Sequence, residues 1–163
     1  MITVRPRTAD DLPSCITALR AVHEADGYPA GWPEDPAAWL SPSKQLDARV
    51  AEADGAIVGQ VGIGTSALPP QVRAAAPEST LASVIRLFVT PPHRRRGTGR
   101  HLLTAAVTMA HGRGYRAILD VEVGATAARS LYESAGWTRI HTAPGNWTTT
   151  DGRPATLLYY LSP

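Results

Sequence analysis

Arg94, Arg95, Arg96 and Arg100 surround Gly97-Thr98-Gly99, and an apolar-periodic stretch beginning at Leu102 follows at once. A helix that starts here exposes N–H groups without intrahelical partners and roughly half a positive charge. The two glycines let the backbone approach a bulky anion and take positive φ where a turn demands it. The chemistry this arrangement offers is binding of a phosphate or diphosphate on main-chain nitrogens, with guanidinium support. Two familiar phosphate loops fit poorly. A P-loop needs Gly-Lys-Ser/Thr, whereas Gly99 is followed by Arg100-His101. A dinucleotide-binding turn needs a third glycine and a strand running into the first. Here Gly97–Leu102 supplies two glycines, Thr90–Arg96 intervenes, and only Asp120 stands where a ribose-binding acid belongs. On these residues alone, a solvated basic turn without a ligand is the remaining alternative.

The elements that must hold this loop can be read from the patterning. Leu81–Val89 is a buried-strand run ended by Thr90-Pro91-Pro92, and Gly99–Ala110 is a helix with Leu102, Leu103, Ala106 and Met109 on one face. Gly112 and Gly114 stop that helix. Ahead of them lie a strand at Ile2–Arg5 and an amphipathic helix from Leu12 to about Ala25, led by Thr8-Ala9-Asp10-Asp11. A turn-rich linker carries Tyr28 and Trp32, and a short helix over Pro36–Leu40 is capped by Asp35. Asp47–Ala53 and Ala56–Thr65 form a hairpin around Asp54-Gly55. Pro69–Ser79 reads as a long loop. Ala117–Val123 is a strand, Thr126–Ala135 a helix stopped by Gly136, and Trp137–His141 and Thr156–Leu161 are closing strands. This order predicts one α/β domain over residues 1–163, a single mixed sheet with helices on both faces.

Composition narrows the function classes. Sixteen Lys+Arg against fourteen Asp+Glu leave a formal charge of +2, too weak a balance for a nucleic-acid or anionic-membrane partner. One short basic turn offers few phosphate contacts, and no aromatic stacking platform accompanies it. Cys15 is the only cysteine, which excludes an intrachain disulfide and a Cys-rich metal centre; no metal is expected. No apolar run reaches the ~20 residues needed to span a bilayer, and no signal-peptide core is visible, so a cytoplasmic protein is expected.

The stretch Leu87-Phe88-Val89-Thr90-Pro91-Pro92-His93-Arg94-Arg95-Arg96-Gly97-Thr98-Gly99-Arg100-His101-Leu102-Leu103 resembles the Val-x-Pro-x-x-Arg-x-x-Gly-x-Gly signature of the GNAT superfamily of N-acetyltransferases. Ala128-Arg129-Ser130-Leu131-Tyr132-Glu133-Ser134-Ala135-Gly136-Trp137 is similar to that family's second hallmark, with Trp137 in place of Phe. The two motifs occur in the family's order and spacing, and the compatible element order covers nearly the whole chain. The resemblance implies a mostly antiparallel sheet splayed at its middle, with acetyl-CoA in the splay as cosubstrate. It implies pantetheine contacts from the backbone of Leu87, Phe88 and Val89, and a pyrophosphate on the amides of Arg95–Arg100, with Arg94 the first position of the motif. Homodimers are common in the family, so a dimer is an expectation of the same kind.

The implied reaction is direct attack of a neutral primary amine on a thioester. It needs a polarised carbonyl, a proton acceptor for the ammonium and a proton donor for the thiolate. The resemblance assigns the carbonyl contact to the Val89 N–H and the proton donor to Tyr132. Two positions depart from the family. Ala125 stands where an asparagine often contacts CoA, and Leu81-Ala82-Ser83-Val84 lacks the glutamate that many relatives place there. Glu122 is the substitute base, against the plainer role of a solvent-facing strand residue. Tyr28 and Trp32, with Trp39, are expected to wall a pocket for a small-molecule or peptide amine, against plain packing of the short helix. The alternative to an enzyme is a catalytically silent CoA-binding module of the same fold.

Overall fold

A computed structural model describes residues 1–163. It contains one seven-stranded sheet ordered β1-β2-β3-β4-β5-β7-β6. The strands are β1 (Ile2–Pro6), β2 (Gln45–Ala53), β3 (Ala56–Gly64), β4 (Leu81–Val89), β5 (Arg116–Glu122), β6 (Thr138–Thr148) and β7 (Pro154–Leu161). The helices are α1 (Leu12–Asp26), α2 (Pro36–Leu40), α3 (Pro70–Ala75), α4 (Thr98–Gly112) and α5 (Thr126–Ser134). All neighbours are antiparallel except β4 and β5, which are parallel and paired only where Leu81, Ala82 and Ser83 face Arg116, Ala117 and Ile118. Beyond Ser83 the two central strands part.

The apolar faces decide which helix covers which side. Leu102, Leu103, Ala106, Met109 and Ala110 of α4 pack with Val61, Ile63, Leu119 and Tyr160 on one face of the sheet. Cys15, Ala18, Leu19 and Val22 of α1 pack on the opposite face with Leu40 and Phe88. Arg5 fixes the entry to α1 by a two-pronged ion pair with Asp11 at 2.7 and 2.8 Å, and Asp11 Oδ2 also accepts the Thr8 N–H. Asp35 caps α2 by accepting the Ala38 N–H at 3.1 Å.

Two expectations need correction. Pro69–Ser79 contains the short helix α3, because Val72 buries itself completely against Leu81, Ile118, Tyr159 and Leu161. A single anchoring apolar residue leaves no periodicity to detect. The strand expected over Trp137–His141 runs instead from Thr138 to Thr148. Pro144 and Gly145 hid its extension, and both are tolerated because β6 lies at the sheet edge, where a missing N–H costs nothing.

The splay is shaped by a bulge. Gly62 pairs with Ile85 and Gln60 with Phe88, so Arg86 and Leu87 together face Val61 alone. Arg86 takes φ +54, a left-handed conformation rare for a residue with a side chain. The fully buried Gln60 holds it, donating from Nε2 to the Arg86 carbonyl at 3.1 Å. Arg7 secures Gln60 in turn, with Nη1 on Gln60 Oε1 at 2.9 Å and on Leu40 O at 2.8 Å.

Candidate active site in the splayed sheet

A cleft of about 870 Å³ opens where β4 leaves β5. Leu87, Phe88 and Val89 form one wall, Arg94, Arg95, Gly97, Gly99 and Arg100 the end, and the first turn of α5 the other wall. Thr90 N donates to Val58 O at 2.8 Å, so the Gly59–Val89 pair is one whose own peptide groups turn away from each other. The Val89 N–H therefore faces the side on which β5 has left. Its carbonyl accepts Arg94 Nε at 3.0 Å.

The turn into α4 is built as an anion cradle. Arg95 and Gly97 both have positive φ, +60 and +82, and Gly97 is the N-cap. The first helical bond is His101 N to Gly97 O at 3.0 Å, and no backbone N–H from Arg95 to Arg100 donates to a backbone carbonyl. These partially charged donors have no acceptor in the protein, and Arg95, Gly97, Gly99 and Arg100 among them line the cleft. A side chain on Gly99 would meet Leu131 Cδ2 at 3.2 Å, so glycine lets α4 and α5 close over this end. These donors fit a diphosphate. Arg96 is exposed and does not line the cleft, and Thr98 is buried with its hydroxyl donating to His93 O. Arg94 reaches across to Asp26 at the end of α1 at 2.5 Å. Ala125 lies at the N-terminus of α5 beside Thr126, Ala127 and Ala128, where the helix has no side-chain cap.

Tyr132 lies on α5 with its ring among Trp137 and Tyr160, at centroid distances of 6.4 and 5.9 Å. The neighbouring Glu133 accepts the Tyr160 hydroxyl at 2.6 Å, which ties α5 to β7. Burial pushes the Tyr132 phenol up to about 12, and the nearby Tyr28 and Asp120 add to the rise.

Glu122 is committed elsewhere. Its Oε1 accepts Gly124 N and its Oε2 accepts Thr156 N, both at 2.9 Å, and Arg153 stands 3.6 Å away. Those backbone bonds hold its carboxyl below the usual range, the opposite of what a base near neutral pH requires. The carboxylate that reaches the splay is Asp120, two residues earlier on the same face of β5. It lines a second, smaller cleft of about 110 Å³ with Ser83, Val84, Ile85 and Tyr159. It is exposed at the mouth of this cleft and has no salt-bridge partner, and partial desolvation raises its carboxyl above the ordinary value. In the sequence Asp120 stood out only as a ribose-binding acid, because nothing local marks where two strands separate.

The linker aromatics divide. Trp32 is stacked between Arg20, 4.2 Å from its ring, and His23 at 5.4 Å, so it packs on α1 and lines neither cleft. Tyr28, 37% exposed, also lines neither cleft and meets Trp39 edge-on at 5.9 Å; partial desolvation raises its phenol while the Arg86 charge opposes that rise. Cys15 is fully buried and its thiol is pushed up to about 11, which leaves it inert.

A family model described as the acetyltransferase (GNAT) family matches residues 16–137. The chain belongs to that family and is an acetyltransferase with acetyl-CoA as its cosubstrate. Its fold is shared by solved structures of low identity. The ribosomal-protein-S18-alanine N-acetyltransferase from Escherichia coli is 22% identical, with 100% of this chain and 94% of that one covered at a TM-score of 0.72. A putative phosphinothricin N-acetyltransferase is 21% identical over 99% and 98%, at 0.73. The putative acetyltransferase yncA from Salmonella typhimurium, solved with its cofactor acetyl-CoA, is 21% identical over 98% and 92%, also at 0.73. No helix is long and apolar enough to cross a membrane.

Proposed function

We propose that the chain transfers an acetyl group to a primary amine that enters the splay from the face covered by α1 and α3. What supports this reading is the outward Val89 N–H in the larger cleft and the Asp120 carboxyl in the smaller one, with the Tyr132 phenol on α5 packed behind the cleft wall against Trp137 and Tyr160. Acetyl-CoA supplies the acyl group as a thioester. The Arg95–Arg100 amides hold its diphosphate, and Leu87–Val89 hold the arm. The Val89 N–H withdraws charge from the thioester carbonyl, where negative charge grows during attack. Asp120 takes the proton from the acceptor ammonium, with desolvation raising its carboxyl above the ordinary carboxylate value. Glu122, with both oxygens occupied, keeps β5 and β7 in register instead.

Tyr132 donates a hydrogen bond to the departing thiolate. A phenol held near 12 stays protonated at neutral pH, so it is present as a hydrogen-bond donor to the sulfur as the C–S bond breaks, although a thiolate, the weaker base, does not take its proton outright. The test is thiol release from acetyl-CoA across a panel of small amines, amino acids and peptides, with Tyr132→Phe beside the parent. We expect turnover to fall about 100-fold in the variant while acetyl-CoA affinity by titration stays within twofold. Equal turnover would return Tyr132 to a packing role. Silence of the parent across the panel, with cofactor still bound, would favour a binding module.

A further inference from the structure

Arg86 is a cation without a counter-charge beside the reacting slot. It is partly buried, yet it forms no ion pair with any carboxylate, whereas Arg5, Arg49, Arg94, Arg113, Arg129 and Arg153 each have one. Its Nε donates to Trp39 O at 3.0 Å, and its guanidinium carbon lies 3.9 Å from the Trp39 ring centroid. These contacts occupy one nitrogen and one face. They fix the plane of the fork and leave both terminal nitrogens without a protein acceptor. The other partly desolvated arginine on this face, Arg7, behaves differently, giving its terminal nitrogens to Leu40 O, Gln60 Oε1 and Ser41 Oγ.

The backbone beneath Arg86 is unusual as well. A left-handed non-glycine residue costs about 1–2 kcal/mol, and such strain persists where surrounding structure enforces it and function uses it. Gln60 and Arg7 provide that enforcement. Arg86 itself lines neither cleft, but its chain neighbours do: Ile85 lines the smaller one with Asp120, and Leu87 lines the larger one. A planar, oriented, unpaired guanidinium is the group that receives a carboxylate on two parallel N–H···O bonds.

We propose that the acceptor is a free amino acid or similar small zwitterion, whose carboxylate docks on the terminal nitrogens of Arg86. This rests on the acetyl-transfer reading of the same site. Asp120 on β5 then faces the ammonium while Arg86 on β4 holds the carboxylate, so the two strands read the two charges of one small molecule. Tyr28 and Trp39 form the apolar wall beside the fork. A peptide N-terminus has an amide where this acceptor has its carboxylate, and leaves the cation unpaired.

The experiment compares three sets of acceptors by thiol release: the L-amino acids, their carboxamides and the corresponding amines without the carboxylate. The parent protein and Arg86→Met are assayed together, each also titrated with acetyl-CoA. We expect kcat/KM for the acids to exceed that for their carboxamides by about 100-fold in the parent. In Arg86→Met the acids fall to the level of the amides, the amides stay within about threefold, and cofactor affinity is unchanged. Arg86→Lys, which retains charge but not the fork, restores only part of the preference. Equal rates for acids and amides in the parent, a uniform fall of all three sets in the variant, or no turnover of acids overturns the proposal. The acetyl-transfer reading survives those outcomes if any amine is acetylated, and fails separately if acetyl-CoA does not bind the parent.

Discussion

On the proposed reading, the two sides of the splay recognise their ligands by different means. On the α4 side, recognition is made of backbone: the Arg95–Arg100 amides, the positive φ of Arg95 and Gly97, and the turned-out Val89 peptide. On the α1 side the proposed recognition is made of side chains brought from distant places, namely Tyr28 after α1, Trp39 in α2, Arg86 in the β4 bulge and Asp120 in β5. A backbone site tolerates side-chain change but not a change of glycine spacing. A side-chain site is the reverse, and its specificity can be replaced residue by residue on a fixed scaffold.

The sharpest way to break this comparison is Gly99→Glu. The new side chain starts 3.2 Å from Leu131 and brings negative charge to the positive end of α4. We expect acetyl-CoA affinity to fall at least about 100-fold, roughly 3 kcal/mol, by isothermal titration. Unaltered affinity would remove the diphosphate from this turn. Next in size is Asp120→Asn, which touches only the acceptor side. We expect turnover at neutral pH to fall about 100-fold with acetyl-CoA affinity retained. The pH profile separates this from damage to the fold. The parent's acidic limb reports deprotonation of Asp120, displaced upward from an ordinary carboxylate, and in the variant that limb vanishes.

Stability must move the other way in that variant. A carboxyl whose folded pKa is raised contributes stability below the ordinary carboxylate range and loses it as pH rises through the folded value. At neutral pH the parent therefore holds a partly desolvated charge that Asp120→Asn removes, so thermal melting at pH 7 should show the variant at least as stable. A variant that is inactive because it melts early would count against the assignment.

That contrast explains what the sequence disclosed. The cofactor side was legible because its determinants are contiguous: Arg94, Gly97 and Gly99 lie within six positions, and α4's apolar face follows directly. The sheet was legible for the same reason, each strand being a local pattern. Asp120 and Arg86 were not singled out as acceptor groups. Their meaning depends on where β5 parts from β4 and on a bulge opposite Val61, both products of strand pairing across long separations. Glu122 is the substitute base expected from the sequence, and the Gly124 and Thr156 amides that occupy its oxygens set it apart from Asp120. Trp32 and Tyr28 are four residues apart in one linker, yet α1 claims the first and Trp39 the second.

The smallest expected effect probes the link between fold and acceptor side. Gln60→Leu fills the same volume but leaves the Arg86 carbonyl without its donor and deprives Arg7 of one of its acceptors. An unpaired buried polar group costs about 1–3 kcal/mol, so urea melts should show a loss of that order. If the bulge exists to aim Arg86, the damage should also be directional: acceptor KM should rise by about tenfold while acetyl-CoA affinity, set by a loop on the other side of β4, changes little. Equal weakening of both ligands would mean that Gln60 supports the splay as a whole. Loss of stability with neither ligand affected would mean that the guanidinium keeps its aim through Trp39 alone, and the strain at Arg86 would then belong to packing between β3 and β4.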